Sequence, residues 1–315
     1  MCAARPIERK LANPRLALLL LCLVWAFASL RADVAREISA ASLPSLERQS
    51  IPYVLFALVS ASFAVVRRVP WHHKLVLPSA LLVGLGMFAA PALLVHLSEK
   101  WLPDLTSVAL FSLTPVFAVV FEPFFADAAA RHRTGLFAAL CSVTGTLLFV
   151  PVEMPHSLVQ GLAFAAVVFA AACVAAANCL AVRTALCLEA QSIAPMAAIA
   201  SGCAVMVLAL FSGLLEHPVL ALPALASEIA WSALFDLPAL LLLFWLLRRM
   251  PAAPMTTRFV LTPLFASLIV IPFLQPRISL RAAIGMLLMA AGSGWMIYGP
   301  QASVETDASP LKLRD

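Results

Sequence analysis

The chain is short of charge. Only 12% of its 315 residues are Asp, Glu, Lys or Arg, against 63% hydrophobic residues and a mean hydropathy of +0.99. A soluble domain carries roughly 25% charged residues. There are too few ionic groups here to cover a water-facing surface, so most of the chain must face lipid. Other absences narrow the function. There is no His-Glu-x-x-His, no Gly-x-Ser-x-Gly, no Gly-x-Gly-Asp pair and no nucleotide-binding loop, so hydrolytic chemistry and built-in ATP drive find no support. No Cys-x-x-Cys pair or Cys/His spacing suggests zinc, and the seven cysteines lie mostly in apolar runs, where Cys packs as a small hydrophobe. Neither a metal nor a cofactor is expected. The net charge of +5 and pI near 9.0 come from small basic groups between apolar runs, with no long basic tract, which argues against nucleic acid.

What is present is a series of long apolar runs. A spanning helix needs about 20 apolar residues. Ten such helices are expected, at 15–33, 49–66, 76–97, 103–125, 135–151, 159–182, 191–214, 223–247, 254–273 and 280–298. With the N-terminus inside, fifteen of the 21 Lys and Arg fall on the cytoplasmic side and six outside. That asymmetry predicts a multi-pass protein of the inner (plasma) membrane with both termini cytoplasmic. The first run has a second reading. Its basic flank, Leu18 to Trp25 core and Ala26-Phe27-Ala28 resemble a cleavable signal peptide. Residues 299–315 read as a short cytoplasmic tail.

The most informative pattern is internal. Leu113-Thr114-Pro115-Val116-Phe117-Ala118 returns 148 residues later as Leu261-Thr262-Pro263-Leu264-Phe265-Ala266. Each copy is followed by a polar break, Asp127 to Arg133 and Gln275 to Arg277, and by a glycine-bearing apolar helix. The fold expected is therefore all-α: ten transmembrane helices as two inverted five-helix repeats, at 15–151 and 159–298. An odd number of spans per half reverses the second half in the bilayer and puts a shared cavity near the midplane. Pro91, Pro115, Pro195, Pro238, Pro263 and Pro272 interrupt the runs. The equivalent Pro115 and Pro263 predict matching kinks beside the cavity, with Thr114 and Thr262 next to them.

Ionisable groups inside apolar runs are functional candidates by default. Asp236 lies mid-way along the eighth run. Glu228 is eight residues earlier, about 80° away around the helix, with Trp231 between them. Arg258 enters the ninth run. Two readings stand for Asp236 and Arg258: a proton or cationic-substrate site in which Arg258 tunes Asp236, or a structural role, either as a fixed ion pair or with Arg258 snorkelling to the cytoplasmic surface. Glu122 near the end of the fourth run, Asn178 in the sixth, Ser112, and Arg31 with Asp33 complete the candidates. Ser112, Thr114 and Thr262 either line the cavity or bond back to their own backbone. His72, His73, Trp71 and Trp101 read as interfacial residues.

Taken together, these residues resemble the ten-helix drug/metabolite transporter superfamily, in its EamA-type branch, over residues 15–298. Trp25 stands where that family often has Trp-Gly. Arg67-Arg68 closes the second helix, Ala109 to Ala118 resembles the family's Pro-containing fourth helix, and Ile284 to Ile297 its closing helix. The chain departs from it at Ala26, and at Ala126-Asp127-Ala128 and Leu274-Gln275-Pro276, where the family often has Gly-Glu. The resemblance implies a secondary transporter, commonly an exporter of metabolites, amino acids or drugs, with a small-molecule substrate. Asp236 offers proton coupling. A monomer encloses a complete pathway, and a homodimer is compatible. The competing readings are a non-transporting membrane sensor or assembly partner and an intramembrane enzyme.

Overall fold

A computed structural model describes residues 13–38, 43–69, 73–125, 132–188, 193–216, 222–274 and 279–299. The polar breaks after Phe125 and Leu274, Trp71 and His72, and the C-terminal tail lie outside these, as do the side chains of His73, Arg31 and Asp33. Among the described residues every regular element is helical. In hydrocarbon no water satisfies backbone N–H and C=O groups, and helices satisfy them within one segment.

The elements are α1 (Pro14–Ile38), α2 (Ser45–Val66) and α3, which comprises His73–Gly84, a π-helical turn Leu85–Ala89, and Ala90–Ser98. Then come α4 (Asp104–Phe111 and Thr114–Phe125), α5 (His132–Phe149), α6 (Leu158–Cys187) and α7 (Ile193–Leu215). Next is α8, which comprises Leu222–Trp231, a π-helical turn Ser232–Asp236, and Leu237–Leu246. It is followed by α9 (Ala252–Thr256 and Arg258–Leu274) and α10 (Leu280–Tyr298). Among the described residues eight helices are long and apolar enough to cross a membrane, and Pro14–Leu30 and Thr134–Phe149 are shorter apolar helices. Large apolar side chains such as Phe124, Phe137, Phe169, Met206 and Phe273 stand more than half exposed on the outer faces. Such a surface suits lipid and not water. These features are those of a multi-pass membrane protein.

Small residues set which helices touch. A Cβ on Gly145 would stand 2.5 Å from Met289 N, and one on Gly285 would stand 2.7 Å from the Gly145 carbonyl oxygen. The missing side chains let α5 and α10 approach backbone to backbone, where apolar burial against lipid supplies no driving force. Gly84 does the same for α3 against Ala200 of α7. Arg281, at the start of α10, donates to the Leu147 and Leu148 carbonyls at the end of α5, at 3.2 and 3.0 Å. These carbonyls have no helical partner of their own. Elsewhere α2 packs along α7, α1 along α9, and α4 against α6. The largest buried cluster joins α1, α2, α3, α6, α7, α8, α9 and α10.

The expected pair of matching proline kinks takes a different form. The α4 break falls at Ser112–Leu113, directly ahead of Thr114-Pro115. In α9 the break falls at Thr257, and Pro263 sits inside a continuous helix. Two further irregularities are the π-turns of α3 and α8. In each, an N–H reaches back five residues, Ala90 to the Leu85 carbonyl and Leu237 to the Ser232 carbonyl. Each is followed directly by the first turn of a helix carrying a proline, Pro91 or Pro238. Proline lacks the N–H that would close the ordinary turn, and the wider turn absorbs the mismatch.

Candidate functional site

A cavity of about 580 Å³ opens between the helices. Its wall comes from α1, α2, α3, α4, α6, α8 and α9. The inner end is closed by buried Met87, Phe88, Leu240, Leu243 and Arg258. Towards the other end the lining residues Arg48, Gln49, Val95 and Glu228 are half-buried, and Ser29 and Val108 are exposed. The cavity therefore opens on the face where α1 and α3 end and α2, α4 and α8 begin.

Five of the candidate site residues read from the sequence line it: Glu228, Asp236, Arg258, Thr262 and Pro263. Glu228, Ser232, Asp236, Leu240 and Leu243 form one face of α8, and the π-turn carries Asp236 on that face. Trp25 also lines the cavity, as does Pro91 beside the first π-turn. Trp231 does not: it is 39% exposed on another face of α8 and stacks on Phe235 with centroids 5.5 Å apart. Glu122, near the end of α4, and the buried Thr114 and Pro115 also lie outside the lining. Asn178 is fully buried behind the wall.

Arg258 is the most constrained charge in the site. It is 2% exposed. Its Nη1 donates to Asn178 Oδ1 at 3.2 Å and to the Met255 carbonyl at 3.5 Å. Its Cζ lies 5.5 Å from the Trp25 ring centroid and 4.7 Å from that of Phe259, within cation–π range. Asp236 is not among these contacts. Arg258 Nε and Thr262 Oγ1 are buried and meet no hydrogen-bond partner among the described residues. Asn178 is held in turn by its amide donating to the Val174 carbonyl at 2.7 Å.

The two repeat threonines behave differently. The Thr114 hydroxyl donates to the Phe111 carbonyl at 2.6 Å, the group that Pro115 leaves without its usual N–H. Ser112 similarly bonds back to Ala109 at 2.6 Å. Both are backbone caps. Thr262 makes no such bond and faces the cavity.

Two features escaped the sequence. Tyr53, whose ring stacks on Phe88 at 4.8 Å, lines the cavity within electrostatic reach of both Asp236 and Arg258. A single polar residue in the second apolar run carries no periodic signal that could mark it. The other feature is a polar clasp near the mouth. Glu216, just past α7, accepts from the Leu46 N–H and the Ser45 hydroxyl at 3.1 Å each and from Ser212 at 2.9 Å. His96 Nδ1 of α3 lies 2.7 Å from Ser45 Oγ and 3.9 Å from Glu216 Oε1. Burial pushes the Glu216 carboxyl up, but these donors and His96 outweigh it and hold it below the usual carboxylate range. The clasp joins three helices distant in sequence, so only the fold reveals it.

Fold and site together define an all-helical, multi-pass membrane protein with an apolar-walled cavity that contains buried charge. No protein family profile matches the chain, and no curated protein matches it. A solved structure described only as "Crystal structure of protein" is similar, with a TM-score of 0.69 at 15% identity. The match covers 89% of this chain and 95% of that one. At this identity the likeness concerns the fold alone.

Proposed function

We propose that the chain is a ten-span secondary transporter of the drug/metabolite type, built from two inverted five-helix repeats and exporting a small organic molecule across the bacterial inner membrane. The observation that carries this reading is the one-ended cavity, in which Asp236 and Arg258 sit within otherwise apolar helices. Charge in that setting is expensive and is kept where it meets a substrate or coupling ion. The chain has no nucleotide-binding loop, so an ion gradient or the substrate's own gradient would drive it. Catalysis is no part of this reading.

The packing supports the two-half reading. Pairing α1–α5 with α6–α10 in order maps each main contact onto another. The α1–α9 contact corresponds to α6–α4, α3–α6 to α8–α1, and α3–α7 to α8–α2. The α2–α7 and α5–α10 contacts map onto themselves. The π-turns at Leu85–Ala89 and Ser232–Asp236 correspond in the same way. With the N-terminus cytoplasmic, the cavity mouth faces outward, and buried Leu18, Leu21, Leu247 and Met255 belong to the core towards the inner end. Transport then requires the halves to rock so that this packing opens while the mouth closes.

The test compares metabolites released by cells overexpressing the wild type and Asp236→Asn at equal membrane abundance. The expected result is a compound released by the wild type and retained by the variant. Equal release by both removes Asp236 from the mechanism, and no released compound from either overturns export.

A further inference from the structure

Resting on the reading of the cavity as a transport site, we infer that it receives an organic monocarboxylate, its head group held between Arg258 and Thr262 and its apolar body against the aromatic wall. Arg258 is a buried guanidinium whose partners are all neutral: an amide oxygen, a backbone carbonyl and two aromatic faces. Among the described residues no carboxylate lies within salt-bridge reach of it. A buried cation is ordinarily paired, because desolvation costs more than neutral contacts return.

The second observation is independent. Thr262, one turn further along α9, has a buried hydroxyl with no oxygen or nitrogen partner, and its side chain lines the same cavity as Arg258. What the hydroxyl meets is the Cys22 thiol, a weak acceptor that a carboxylate oxygen would displace. Arg258 Nε–H is therefore an unspent donor and Thr262 O–H a weakly engaged one, four residues apart on one helix face. A carboxylate has two oxygens that accept from such a pair, and its charge compensates the guanidinium. Asn178 holds the guanidinium through Nη1, and Nε is left without a partner among the described residues.

The charge of the ligand follows from the same count. At the buried end Arg258 is the arginine that meets the head group, one positive charge for one negative; Arg48 lines the cavity towards the mouth, on the side of Glu228. A dianion such as a phosphate monoester would leave an uncompensated charge in low dielectric, on a wall that also carries Asp236 and Glu228. The rest of the ligand must be apolar where it meets Phe88, Phe111, Phe259 and Leu243. The volume, about 580 Å³, suits a small molecule.

The test is calorimetric titration of the full-length protein in detergent with 3-phenylpropanoate, its amide and 3-phenylpropylamine. We expect saturable binding of the acid, with the amide and the amine roughly tenfold or more weaker. Thr262→Val, which conserves shape, should weaken the acid about two- to tenfold and leave the amide unaffected. Arg258→Gln should abolish the preference for the acid; should it fail to fold, the wild-type head-group series still decides. Tighter binding of the amine, equal binding of acid and amide, or no saturable binding of any probe overturns the inference. Uptake of the labelled acid into proteoliposomes separates the two readings. Acid binding without flux keeps the carboxylate site and removes transport. Flux of a non-acidic compound without acid binding removes the carboxylate site and keeps transport.

Discussion

Phe111 of α4 and Phe259 of α9 stack across the cavity wall, ring centroids 5.9 Å apart and planes 25° from parallel. They are separated by 148 residues, the spacing of the repeated Leu-Thr-Pro-x-Phe-Ala phrase. Each immediately precedes its copy by two positions, so equivalent side chains of the two copies meet each other. A double-mutant cycle of Phe111→Ala and Phe259→Ala should give a coupling of about 0.5–1.5 kcal/mol. Thermal or denaturant unfolding of the four proteins measures it, and strict additivity refutes the contact.

Gly145→Ala should cost about 1–3 kcal/mol, because the new methyl meets Met289 N and the Gly285 carbonyl, which are backbone atoms that cannot rotate away. Gly202→Ala provides the control. Nothing lies within 4 Å of its Cβ position, so there the gain in helix propensity, about 0.5–1 kcal/mol, should appear instead. Opposite shifts in melting temperature are the expected signature.

Asn178→Leu removes the one side-chain acceptor of Arg258 while keeping similar volume. The guanidinium then stays buried with the Met255 carbonyl and the two rings alone. The expected loss is about 1.5–3 kcal/mol, the range for a hydrogen bond to a charged group. Unfolding measurements on the detergent-solubilised variant check it, and an unchanged melting temperature would mean that the bond contributes nothing.

The clasp at Glu216 should make the mouth acid-sensitive. Its carboxyl is held below the usual carboxylate range in the folded protein. A group depressed in this way lends its stability above the unfolded value, near 4.5, and loses it as pH falls through the lower folded value. Melting temperature should therefore drop below about pH 4.5, and Glu216→Ala should flatten that part of the profile. At neutral pH the same variant should cost about 1–3 kcal/mol, from the donors of Leu46, Ser45 and Ser212 left without their acceptor. A parallel acid profile for variant and wild type would sink this assignment.

Much of the site was legible in one dimension. Asp236, Glu228 and Arg258 stood out as charges within apolar runs, and all three line the cavity. Thr262 stood out through the repeat. Trp231 was drawn in by its position between two acids, yet it lies on another face of α8, where it stacks on Phe235. Three residues past Glu228 is close to a full turn, so spacing alone favoured it. The π-turn at Ser232–Asp236 then resets the phase, and Ser232 and Asp236 face the cavity while Trp231 does not. Thr114 and Thr262 are identical in local sequence, but one caps a carbonyl and the other faces the cavity, because their helices break at different places.

By itself the sequence determined that the chain is helical and lipid-facing. Apolar runs of bilayer length with little charge leave the backbone no other way to satisfy its polar groups. It also disclosed the repeat and the few charges that the apolar helices retain. The tertiary structure decided which of those charges share a cavity. Helix rotation and approach depend on where Gly145, Gly285 and Gly84 let backbones touch. Only that packing turned Tyr53 toward Arg258 and Asp236, and only that packing set Asn178, rather than Asp236, against the buried guanidinium.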